Sequence, residues 1–327
     1  MNPILMQKYA DFAVKVGVNV QPGQNLIIQC PVDGAAFARA CAKAGFEAGA
    51  KRVEVRYNDE QVSRLQMEHT KEEVLCDVKP WLLRSYLDYA EDEGSVCILN
   101  IVARDPEIYK GLDGAKIQKA MLAQRGALKP WQEYTMNSLV QWCIVAMPTV
   151  AWAKKVFPGV SDEEAVEKLW AAIFEVCRVT EDKDVVEEWT AHIERTAARR
   201  DRMNELDLQS VRLQSANGTD LTIGLAEDAI WQGANEMAHN IQVPFIANIP
   251  TEEVFCAPHK DKVDGVVKST RPYVYNGEII ENFTVVFEKG KDGQQPHHAH
   301  AQGGGLVASG QRPAAEVSEH RNGDGHR

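Results

Sequence analysis

The chain has 327 residues, 44% hydrophobic and 25% charged, the balance of a water-soluble protein with room for roughly two cores. A net charge of −11 repels phosphate backbones and anionic lipid, which argues against nucleic-acid and membrane partners. Seven scattered cysteines without Cys-x-x-Cys spacing, no apolar run of the ~18 residues a span needs and no basic-then-apolar leader point to a reduced, cytoplasmic setting.

Leu5, Tyr9, Phe12, Ala13 and Val16 recur at helical spacing, so a helix is expected over 3–16, with Pro3 in its first turn and Gly17 at its end. A short apolar strand over 26–28, a helix over 35–47 and a strand over 53–57 follow with short links, the pattern of a parallel sheet. Thr70 with Glu73 fits a capping box, Pro80 opens a helix that Gly94 stops, and 96–102 reads as a third strand. A helix near 115–124 precedes the apolar run 140–146, whose continuity suits a strand buried on both faces. No phosphate-cradling glycine motif follows any of these strands, so no nucleotide cofactor is expected. Ser161 and Glu164 fit a second capping box, opening an amphipathic helix with Trp170 on its core stripe. The helix over 184–206 is mostly polar, with Arg195, Arg199, Arg200 and Arg202 read as a solvated face and His192, like His69, as surface.

Near residue 205 the periodicity changes from helical to alternating. Val211 and Leu213, the turn pair Asn217-Gly218, then Leu221, Ile223 and Leu225 read as a hairpin, and Asn276-Gly277 marks another before a strand over 283–287. Between them lies Asn248-Ile249-Pro250-Thr251-Glu252-Glu253-Val254-Phe255, expected on irregular chain at the rim of the antiparallel sheet. Carboxylates beside Val254 and Phe255 are partly desolvated and call for a cation or donor. In extended chain Glu252 and Glu253 point to opposite faces, so one faces inward and the other is solvated. An ordinary capped turn is the competing reading, and His239 and His259 are the only nearby imidazoles that could assist.

The stretch from Asn248 to Pro258, with Asp264-Gly265-Val266-Val267, Gly224-Leu225-Ala226-Glu227 and Trp231-Gln232-Gly233, resembles the M29 family of metal-dependent aminopeptidases, the aminopeptidase T group, over about residues 1–291. The resemblance implies an α/β N-terminal domain with a mainly parallel sheet (1–205), then a partial, mainly antiparallel β (α+β) catalytic domain (206–291). It implies peptide substrates, a homodimer, and two divalent ions, zinc or cobalt, with Glu253 as one metal ligand. No catalytic residue and no other ligand can be placed. From 292 to 327 the composition turns to Gly, Ala, His and Gln without any aromatic residue, as in a disordered tail and as a change of reading frame would produce. Its His297, His298 and His300 could bind metal only adventitiously. Two readings follow: an aminopeptidase by descent that is inactive in this chain for want of ligands, or a non-catalytic fragment or α/β binding module. An incomplete β domain would also leave apolar edges exposed and favour aggregation.

Overall fold

The computed structural model describes residues 2–91, 96–275 and 278–292. Asn2 accepts from the amides of Ile4 and Leu5 to open α1 (Pro3–Phe12), and a π-type turn carries the helix to Gly17. There follow β1 (Asn25–Pro31), α2 (Ala35–Glu47), β2 (Arg52–Asn58), α3 (Glu60–His69), α4 (Glu72–Leu75), α5 (Pro80–Ala90) and β3 (Val96–Val102). Then come α6 (Gly114–Ala127), α7 (Lys129–Met136), β4 (Trp142–Ala146), α8 (Val150–Val156), α9 (Asp162–Val176) and α10 (Val185–Glu205). Strands β1 to β4 pair in parallel, as expected.

Side-chain alternation along β1 divides the apolar residues between two cores. Leu26 and Ile28 join Tyr9, Phe12, Phe37, Trp170, Phe174 and Trp189 on one face, while Ile27 joins Ile98, Trp131 and Val140 on the other. Tyr9 stacks on Phe37 at 5.2 Å and Phe12 meets Trp189 at 5.0 Å, so α1, α2 and α10 share one aromatic seam. Trp170 is buried, as its stripe position required, and Ser161 Oγ accepts from the Glu164 amide at 3.2 Å.

The second region holds β5 (Ser210–Gln214), β6 (Asp220–Leu225), β7 (Gln232–Gly233), β8 (Glu236–Ala238), β9 (Val243–Phe245), β10 (Asn248–Ile249) and β11 (Val254–Phe255). It ends with β12 (Pro258–Lys268), β13 (Tyr273–Tyr275), β14 (Glu278–Ile280), β15 (Thr284–Glu288) and β16 (Lys291–Asp292). Its main sheet is antiparallel, in the order β16-β15-β12-β6-β5. The fold is thus a parallel α/β layer followed by antiparallel β structure.

Several local expectations are corrected. Thr70 does not cap a new helix: its amide closes α3 by donating to Gln66 O, and α4 starts from Lys71 without a side-chain cap. Helix α3, capped by Asp59, buries none of its residues and so left no apolar stripe to read. The glutamate motif does not begin at the antiparallel rim. Strand β10 instead adds to β4 in parallel, making a five-stranded sheet of order β10-β4-β3-β1-β2. The cause is burial: Ile249 is only 3% exposed, and its Cδ1 sits where a Cβ on Gly17 would come within 2.8 Å. Gly94, the turn pair Asn276-Gly277, and residues 293–327 with His297, His298 and His300 lie outside the described residues. Among those described, no helix is long and apolar enough to cross a membrane.

Candidate metal-binding site

The chain reaches the glutamate pair from β10, through the cis Ile249–Pro250 bond, and leaves it along β11. Between the two strands it is held from the side by the end of α9 and the inner stripe of α10. The His192 Nε2–H donates to Thr251 O at 2.6 Å, and Arg178 Nη2 donates to Glu252 Oε1 at 2.5 Å. The Arg178 guanidinium also lies over the Trp189 ring, 5.3 Å from its centroid, and 3.2 Å from His192 Nδ1. A guanidinium can only donate, so His192 Nδ1 must accept, which leaves the ring's one proton on Nε2 for Thr251. The hydrogen bond from Arg178 holds the Glu252 carboxyl below the usual carboxylate range.

His192 is therefore not a surface residue: it is 3% exposed. Val185, Trp189, His192 and Thr196 fall at helical spacing and are the buried residues of α10, a stripe the surrounding charges concealed. His69 is exposed, as expected.

Downstream, Val254 and Phe255 pair with Gly233 and Gln232 of β7. The backbones approach so closely that a Cβ on Gly233 would lie 2.6 Å from Glu253 O, and Gly233 has a φ of +136°. The Trp231-Gln232-Gly233 motif is thus the direct neighbour of the glutamate motif. Leu225 likewise pairs with Pro258, where that motif ends.

Glu252 and Glu253 diverge as extended chain requires. Glu252 turns to Arg178, whereas Glu253 lines a cleft of about 1140 Å³ whose walls include Trp142, Arg200, Trp231, Glu236 and His239. The expectation that one of the two is desolvated is corrected: both are exposed, because Phe255 is itself 46% exposed and shields neither. Glu252 gains its compensation from Arg178 instead. The Glu253 carboxylate has no hydrogen-bond or ion-pair partner among the described residues.

Arg200 departs from the solvated arginine face. It is half-buried in the cleft wall, where Nη1 reaches Gly233 O at 3.4 Å. Glu236, which pattern reading missed because it lies in a three-residue strand, accepts from Ser138 Oγ at 2.6 Å. Of the two imidazoles expected to assist, His239 lines the cleft and His259 does not; His259 Nδ1 accepts from the Asp261 amide on β12. No group of three or more His, Cys, Asp or Glu side chains among the described residues could hold a metal ion. These donors alone therefore do not fit a two-metal centre.

A family model described as thermophilic metalloprotease (M29) matches residues 4–292. The chain belongs to the M29 metalloprotease family. Aminopeptidase AmpS of Bacillus subtilis is 39% identical over 289 residues, covering 88% of this chain and 68% of that protein. Aminopeptidase 2 of Geobacillus stearothermophilus is 37% identical, covering 91% of this chain and 70% of its own. The solved structure of wild-type AmpT from Thermus thermophilus superposes with a TM-score of 0.79 at 32% identity, over 87% of this chain and 69% of that one. The M29 chain described here is accordingly a relative of metalloaminopeptidases throughout its α/β layer and its described β structure.

Proposed function

We propose that this M29 chain serves a metal-dependent aminopeptidase reaction that releases N-terminal residues from peptides, with Glu253 as one ligand of a divalent-ion site. The observation that carries the reading is an unpaired carboxylate on a segment held at Ile249, Thr251, Glu252 and Val254, facing a cleft large enough for a short peptide. A solvated carboxylate facing a cleft is free to take a cation as an oxygen ligand. Bound at such a site, divalent ions would supply Lewis-acid chemistry, with Glu253 as one oxygen ligand. Zinc or cobalt, two ions per site, a homodimer and a cytoplasmic location belong to the same proposal.

The donor set within the described residues favours a second statement about this polypeptide. With Glu253 unsupported by a group of three donors among the described residues, those residues by themselves would hold metal weakly and would not turn over substrate. Metal analysis of the purified protein beside hydrolysis of an aminoacyl chromogenic substrate tests both statements. Weak, substoichiometric metal and no hydrolysis are expected; zinc- or cobalt-dependent turnover by the chain alone would overturn the claim of inactivity. A monodisperse, cooperatively melting preparation would likewise contradict the expected tendency to aggregate.

A further inference from the structure

We infer that the cleft takes peptides whose first residue carries a large apolar side chain, with Met136, Ile230 and Phe255 as the wall that meets that side chain and Glu236 as the acceptor of the free amino group. This substrate preference rests on the aminopeptidase reading above, and its detection requires no metal ion.

Exposed apolar side chains scattered singly over a surface need no explanation, because a folded chain cannot cover them all. Met136, Ile230 and Phe255 are 78%, 67% and 46% exposed, stand on three separate stretches of chain, and line the same cavity. Met136 is the last residue of α7, Ile230 precedes β7, and Phe255 belongs to β11. Backbone contacts hold two of them in place. Asn204 of α10 donates from Nδ2 to Trp231 O at 3.1 Å and accepts from the Trp231 amide at 2.8 Å, which fixes the residue next to Ile230 at both of its backbone groups. Phe255 pairs with Gln232, two residues on from Ile230. Apolar walls held open to water gain most from a ligand that covers them.

The charged lining selects the other end of the ligand. Among the described residues, two carboxylates, Glu236 and Glu253, line the cleft against the single guanidinium of Arg200, whose Nε already donates to Asp201 Oδ1 at 2.8 Å. The excess of negative charge favours a cationic group. Glu236 Oε2 accepts from Ser138 Oγ, and its Oε1 has no partner among the described residues, so one acceptor remains for an ammonium. Ser138 lies two residues beyond Met136, so the acceptor and the apolar wall adjoin. An ammonium and an apolar side chain carried on one α-carbon, as in the first residue of a peptide, match that pairing.

Ligand-observed NMR on the full 327-residue protein, with Phe-Gly-Gly, Gly-Gly-Gly and N-acetyl-Phe-Gly-Gly as probes, reads the two contacts separately. Phe-Gly-Gly is expected to bind about tenfold more tightly than Gly-Gly-Gly, with saturation transfer strongest at the phenyl ring. Because the wall residues are solvent-exposed, Ile230→Ser and Phe255→Ser should fold as the parent protein does. Each should cut the preference to about threefold or less and leave Gly-Gly-Gly binding unchanged. N-acetylation is expected to weaken binding about tenfold in the parent protein, and Glu236→Gln to erase the difference between free and acetylated peptides. Equal binding of the phenylalanine and glycine peptides, no binding of either, or a preference that survives in both wall variants would overturn the apolar subsite. Acetylated peptide bound as tightly as the free one, with the phenyl preference intact, would instead overturn recognition of the amino group and with it the aminopeptidase reading, leaving the apolar wall in place.

Discussion

Substituting Gly233 by alanine strikes the one place where the β7 and β11 backbones nearly touch beside Glu253. The added Cβ would lie 2.6 Å from Glu253 O and 3.2 Å from Val254 Cα, both backbone atoms that cannot swing aside. Ordinary contact begins at 3.4 Å, so the strands must part by 3.4 − 2.6, about 0.8 Å. Forcing alanine into a positive φ costs about 1–2 kcal/mol. Overpacking a close contact adds about 1–3 kcal/mol. The total of about 2–5 kcal/mol falls on a pair of two-residue strands, so it appears as local opening rather than global unfolding. Since 1.4 kcal/mol is tenfold, the amide of the Val254–Phe255 pair that donates to β7 should exchange about 30-fold faster or more, measured by hydrogen exchange and mass spectrometry on the intact chain. Urea unfolding of the α/β layer should shift far less. Exchange within threefold of the parent protein, in a folded variant, would refute the close approach on which the geometry around Glu253 depends.

Other outcomes follow from the core and from titration. Trp189 is 0% exposed, packs on Phe12 and donates its indole N–H to Cys177 O, so Trp189→Ala should cost about 3–5 kcal/mol in urea unfolding. For Glu54, burial pushes the carboxyl up, but hydrogen bonds from Tyr89 and Arg56 outweigh it and the net direction is down. A folded value below the unfolded one contributes stability above the ordinary carboxylate range, about pH 4.3, that is lost as pH falls through the folded value. The stability difference between the parent protein and Glu54→Gln should therefore narrow from pH 6 to pH 3, and a constant difference would contradict the pairing. Burial raises the Cys30 and Cys177 thiols to about 12 and the Cys97 and Cys143 thiols further, and Cys41 is fully buried. In the native protein a thiol reagent should modify Cys76 and Cys256 first, with Cys256 slowed by its own upward shift. Rapid modification of the buried thiols would be inconsistent with this core.

The α/β layer was legible because its signals are local and repeated. The 35–47 helix and the strands β1 to β3 each carry their own period, and Ser161 and Trp170 occupy the positions their spacing assigns. What was hidden depends on partners distant in sequence. Strand β10 is two residues long, too short for any period, and it pairs with residues about a hundred positions earlier. His192 looked solvated because Glu194, Arg195 and Arg199 surround it in sequence, yet its neighbours in space are Arg178, Trp189 and Thr251. The stripe from Val185 to Thr196 could have revealed it. Glu253 stood out through family resemblance; residue chemistry alone favoured an ordinary capped turn. The opposite orientations of Glu252 and Glu253 did follow from extended-chain geometry, whereas their exposure did not, because it depends on the open cleft beside Phe255.

The most direct test is titration with cobalt(II), followed by absorption spectroscopy and calorimetry, of the 327-residue protein and its Glu253→Gln variant, both carrying His297→Ala, His298→Ala and His300→Ala to remove the adventitious tail site. Weak binding to the parent protein that is lost in the variant, with both melting at the same temperature, is the expected result. Equal binding by the two proteins would contradict the assignment of Glu253 as a cation ligand.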